Sequence, residues 1–135
     1  MKQITNTNIA KLACPRDELC FQWLKLTREL HGLSTTEMQL AAAFLDKYIE
    51  FKEKILDDEL LNEFLMSTKV KNSIREKVGI DKQTSFQNMI SSLRKKGFFD
   101  GEDRIAKAFI PNIDGKSKFF QVGFMIKIID NESTV

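Results

Sequence analysis

The sequence is poor in the residues that staple, ligate and catalyse. It has two cysteines, Cys14 and Cys20, six positions apart. A disulfide scaffold or a four-ligand zinc site needs more, so reduced thiols in a cytosol are the expectation. The single histidine, His31, rules out a His-based metal or catalytic cluster. No apolar run approaches the roughly 20 residues of a membrane-spanning helix, so no membrane partner is expected. The opening Met1-Lys2-Gln3-Ile4-Thr5-Asn6 has no apolar stretch behind its lysine and does not read as a secretion signal. Nucleophile–base pairs, phosphate-cradling glycine loops and metal-ligand spacings are all missing. No cofactor, no metal and no enzymatic activity are therefore expected. Asp100, Glu102 and Asp103 form an acidic triplet, but it falls short of the ligand number of a calcium loop.

What is present suits one compact, soluble domain: 135 residues, 42% hydrophobic and 30% charged. The formal net charge is only +2, but it is unevenly spread. From Glu37 to Glu63 eight acids meet three lysines, a net of −5. From Lys69 to Lys96 eight bases meet Glu76 and Asp81, a net of +6. A basic module of this kind is the usual footprint of a polyanion-binding surface.

The first dozen residues, rich in Asn and Thr, read as a loosely held arm. Pro15 suits the first turn of a helix, followed by a stripe of Leu19, Trp23, Leu26 and Leu30 that Cys20 and Leu24 widen. Gly32 supplies a left-handed cap, and His31 beside it a partner for the helix dipole. Ser34-Thr35-Thr36-Glu37 is a capping box, and apolar residues from Met38 to Leu56 predict a core-facing helix of about five turns. Asp57 and Asp58 recap a short helix carrying Leu60, Leu61, Phe64 and Leu65. Ser67 caps a helix with Val70, Ile74 and Val78 on one face, closed by Gly79. The next helix is predicted to start after Asp81 as N-cap, to bury Phe86, Met89 or Ile90, and Leu93, and to stop at Gly97. The period then becomes two. Ile105, Lys107 and Phe109, an Asp114-Gly115 turn, and Phe120, Val122, Phe124, Ile126 and Ile128 predict a terminal β-hairpin.

The pattern Ile74, Val78-Gly79-Ile80-Asp81, Phe86, Leu93, Lys96-Gly97-Phe98, followed by that hairpin, resembles the winged helix-turn-helix family of DNA-binding domains. Residues of about 36–129 carry the resemblance, which implies a mainly α fold with a small β-hairpin wing and an extra N-terminal helix. The chain then divides into an arm and helix at 1–33, a dimerisation element, and the winged domain at 34–135. By the resemblance, double-stranded DNA is the partner. The second helix of the unit enters the major groove, where Gln83, Thr84, Ser85, Gln87, Asn88 and Ser91 meet base edges. Of the central pair, Gln87 is the expected reader. Lys69, Lys71, Lys82, Arg94, Lys95 and Lys96 would sit near phosphates, with Lys116 and Lys118 at the wing tip. That helix has no arginine in its first turns, so a strong guanine contact is missing. Phe98, Phe99, Phe119 and Phe120 are expected to anchor the wing.

Two functions follow. One is a cytoplasmic transcriptional regulator or replication accessory, acting as a homodimer, or with another protein, through helix 17–31. The other uses the same fold for assembly, as in a small phage virion or connector component. The Lys, Asn, Ile and Phe richness fits a phage or AT-rich bacterial source.

Overall fold

The computed structural model describes residues 2–4, 10–113 and 116–130. In place of a loose arm, β1 (Lys2–Ile4) pairs antiparallel with β2 (Ala10–Leu12), Gln3 opposite Lys11. Pro15 caps a 3-10 turn, Arg16–Glu18, that leads into α1 (Leu19–Leu26). Thr27 ends α1: its hydroxyl donates to the Trp23 carbonyl at 2.8 Å, and a single turn, α2 (Arg28–His31), follows. Gly32 then takes φ +68°, a left-handed conformation that favours glycine.

The largest helix, α3 (Thr35–Phe51), has the capping box the sequence predicts, with Glu37 N–H donating to Ser34 Oγ at 3.2 Å and Ser34 N–H to Glu37 Oε1 at 2.8 Å. It stops at Phe51, so Leu56 lies beyond it and is exposed. Asp57 caps α4 (Asp58–Leu65) and Ser67 caps α5 (Thr68–Val78), as their side chains predict. The N-cap of α6 (Gln83–Lys95) is Lys82 rather than Asp81, and no side chain bonds to the free N–H groups there.

α3 is the hub. Its Leu40, Ala41, Phe44 and Leu45 are fully buried, and α1, α4, α5 and α6 all pack against it. The alanines Ala41, Ala42 and Ala43 leave room for that close approach. α1 contributes Cys20 and Leu24, α5 contributes Val70 and Ile74, and α6 contributes Phe86, Ile90 and Leu93. The expected α1 stripe is thus displaced. Leu26 faces solvent because Cys20 and Leu24 set the inward direction of α1 and it lies well over a quarter-turn from them, and Leu30 is exposed on α2, beyond the break at Thr27.

The wing is the main correction. Among the described residues no strand follows α6, so a mainly helical bundle replaces the winged helix. Phe98 and Phe99 are core residues, with the Phe99 ring edge-on to Phe44 at 5.1 Å. Phe99 and Ile105 form one isolated bridge around a tight turn at 100–104, and Ile105 N–H donates to the buried Asn62 Oδ1 at 2.9 Å. Phe109 packs on Phe98, with centroids 5.1 Å apart, and its carbonyl accepts from Trp23 Nε1 at 2.8 Å. In the expected first strand, α4 takes the Ile105 N–H, α1 takes the Phe109 carbonyl, and Lys107–Phe109 winds into a 3-10 turn instead of extending. Residues 119–130 consequently run without a ladder. The Asp114-Gly115 turn lies outside the described residues.

Candidate functional site

The amphipathicity of α6 defines the site. With a helical step of about 100°, Phe86, Ile90 and Leu93 fix the inward direction. The stripe diametrically outward is then Thr84, Asn88, Ser91 and Lys95, all exposed. Gln83, Gln87 and Arg94 form one flank of this face and Ser85 the other. The expectation that Gln87 points outward more squarely than Asn88 is therefore reversed: Asn88 lies opposite the core and Gln87 about a quarter-turn off it. α6 contains no carboxylate. At about 1.5 Å per residue its 13 residues span roughly 20 Å.

The bases predicted for this surface fall into two groups. Some are already neutralised. Arg94 donates from Nε to Asp103 Oδ1 at 2.6 Å and from Nη2 to Asp103 Oδ2 at 3.1 Å, and this pairing favours its charged form. Lys96 Nζ lies 2.7 Å from Glu37 Oε1. Lys77 on α5, part of the basic stretch but not among the predicted site residues, likewise lies 3.7 Å from Asp46. The second group, Lys69, Lys71, Lys82 and Lys95, forms no ion pair among the described residues. Lys82 and Lys95 bracket α6, whereas Lys69 and Lys71 sit in the first turn of α5, far along that helix from the 79–82 turn.

Arg75 was missed by sequence reasoning as a site residue. Its Nη1 donates to Gln83 Oε1 at 2.7 Å, which joins the last turn of α5 to the first residue of α6. The signal was its spacing of eight positions across a turn closed by Gly79 at φ +77°. Lys116 and Lys118 are exposed but belong to no wing. They flank Ser117, whose carbonyl accepts from Arg16 Nη2, just before α1.

Glu37 clamps the far end of α6. Its carboxylate accepts from the Ser34 N–H, from Lys96 Nζ and from the Ser92 hydroxyl. Desolvation is the largest single influence and pushes its pKa up. Lys96, the Ser34 N–H and the Ser92 and Ser34 hydroxyls together outweigh it and hold the group down to about 2.

Elsewhere, an open groove of about 510 Å³ runs beside α1, lined by Asp17, Glu18, Phe21, Gln39, Asp46 and Lys77 among others, none from α6. The Cys20 thiol is pushed up by burial and by the negative charge of Asp46, which keeps it protonated. The Lys77–Asp46 ion pair ties α5 to α3. His31 is likewise structural. Its Nδ1 accepts from the Leu33 N–H at 3.0 Å and its Nε2 is 2.9 Å from the Leu24 carbonyl, an arrangement suited to the Nε2–H tautomer. No group of His, Cys, Asp and Glu able to hold a metal occurs among the described residues. No helix there is long and apolar enough to cross a membrane.

Comparison with family models, with curated proteins and with solved structures returned no match to this chain.

Proposed function

We propose that this chain is a duplex-DNA-binding module, a transcriptional regulator or replication accessory that docks α6 in the major groove. One observation carries the reading. α6 is free of carboxylates, its outward face is amide and hydroxyl, and the bases at its two ends, Lys82 and Lys95, have no acidic partner among the described residues. The nearby Arg94, Lys96 and Lys77 are all compensated internally. A polar helix face with uncompensated positive ends suits a groove about 12 Å wide between two phosphate rows. Asn88 is the group to pair bidentately with adenine. Lys82, Lys95 and Arg75 supply charge to phosphates and set position rather than sequence.

The test is fluorescence anisotropy of a labelled random duplex through a salt series. About three phosphate contacts predict a log–log slope of roughly −2 to −4. Reversing charge at Lys82→Glu and Lys95→Glu should abolish most binding while far-UV circular dichroism stays unchanged. Absence of binding at low salt, or a flat salt response, would overturn the proposal.

A second reading, a non-enzymatic assembly protein, is favoured by the apolar segment 119–129, which one copy leaves exposed. A discrete oligomer indifferent to DNA would select it.

A further inference from the structure

We infer that residues 119–129 form a β-strand by pairing antiparallel with the same segment of a second copy of this chain. The inference does not rest on the role of α6. In a single copy these residues belong to no helix or strand, and Phe119, Phe124, Met125, Ile126, Ile128 and Ile129 are between 60% and 97% exposed. The composition is aromatic and β-branched, which suits a pleated, half-buried surface and not a solvated loop. A segment outside any helix or strand also leaves backbone donors and acceptors without a ladder.

The occupant is indicated by the segment's own symmetry. An antiparallel pair with Phe124 on the two-fold axis sets Phe120 opposite Ile128 and Val122 opposite Ile126, while Phe124 meets its own symmetry mate. One face of the ribbon is then apolar throughout. On the other face Phe119 meets Ile129 and Gly123 meets Met125. Lys127, the one charged residue in the segment, falls opposite Gln121 and not opposite a second Lys127. Like charges directly across a ladder would destabilise it, and this register avoids them. A surface that is complementary to itself is what a closed two-fold dimer requires.

Exposure agrees with pattern. Of the six exposed side chains, Phe124, Ile126 and Ile128 lie on one face of the ribbon and Phe119, Met125 and Ile129 on the other, so pairing covers apolar surface on both faces. The root of the segment is already held, since Phe120 lies edge-on to Trp23 with ring centroids 5.8 Å apart. Leu26, three positions after Trp23 on α1, is also exposed.

Light scattering of the full chain over a concentration series should give twice 15.6 kDa. Phe124→Asp places two carboxylates on the axis and should return the mass to 15.6 kDa, with the helical circular dichroism retained because Phe124 is outside the core. Register is read by oxidation in a Cys14→Ser background, where the remaining Cys20 is buried. Phe124→Cys should form a covalent dimer by itself. Gln121→Cys and Lys127→Cys should cross-link when mixed and not singly. A wild-type mass of 15.6 kDa at every concentration, a dimer indifferent to Phe124→Asp, or Gln121→Cys linking as well alone as in the mixture would each overturn the inference.

Discussion

Glu37→Gln tests how the C-terminal end of α6 is held. The wild-type carboxylate has an ordinary value of 4.5 in the unfolded chain and about 2 when folded. Because the folded value is depressed, the group adds stability that is fully present above 4.5 and is lost as pH falls through the range toward 2. A difference of that size corresponds to at most about 3.5 kcal/mol, at roughly 1.4 kcal/mol per unit. Lys96 is partly exposed, so water screens some of this, and the glutamine oxygen still accepts from Ser34 N–H. The expected loss at neutral pH is roughly 1–3 kcal/mol. Urea denaturation followed by far-UV circular dichroism, repeated from about pH 7 down to about pH 3, should show the wild-type advantage shrinking to roughly 40% of its neutral-pH size, the remainder being lost only below the folded value. A gap equally wide at both ends of the series, or no gap at neutral pH, would refute the clamp.

Leu93→Ala should lower stability by roughly 2–5 kcal/mol, because a fully buried side chain between α6 and the core leaves a cavity; a denaturation midpoint unmoved would place the wrong face inward. Leu24→Ala should cost a similar amount, while Leu30→Ala should stay within about 0.5 kcal/mol of wild type in the monomeric Phe124→Asp background, read by the same urea curves. An Ellman assay on the native protein should label Cys14, which is partly accessible, and reach Cys20 only after denaturation. On a selected preferred site, Asn88→Ala should lose roughly 1–3 kcal/mol of DNA affinity and much less on random duplex, with Gln87→Ala losing less than Asn88→Ala; a uniform loss on both duplexes would remove base reading from the helix.

Local signals in the chain were reliable where the interaction that sets the structure is itself local. Ser34 with Glu37, Asp57, Ser67, Gly32 and Gly79 each mark a helix end within one turn of its partners, and each marks the correct end. The apolar face of α6 was legible for the same reason. The break at Thr27 and the N-cap at Lys82 are local and were still missed, but most of what could not be read is decided by contacts distant in sequence. The period-two pattern after Gly97 is real, but Asn62 takes the Ile105 N–H across 43 positions and Trp23 takes the Phe109 carbonyl across 86. Those bonds leave no first strand for residues 120–128 to join. The site was half legible. Lys82, Asn88 and Lys95 could be found from the helix alone, whereas the pairing of Arg94 with Asp103 and of Lys96 with Glu37 depends on how α6 meets the following turn and α3.

The most direct test of α6 as the reading element is a titration of the isotope-labelled chain with a short duplex, followed by backbone amide chemical shifts. The account predicts shifts concentrated at Arg75 and across 82–95, largest at Thr84, Asn88, Ser91 and Lys95, and reversed by added salt. Shifts centred on the Asp17, Glu18 and Asp46 groove or on residues 119–129, or none at low salt, would contradict it.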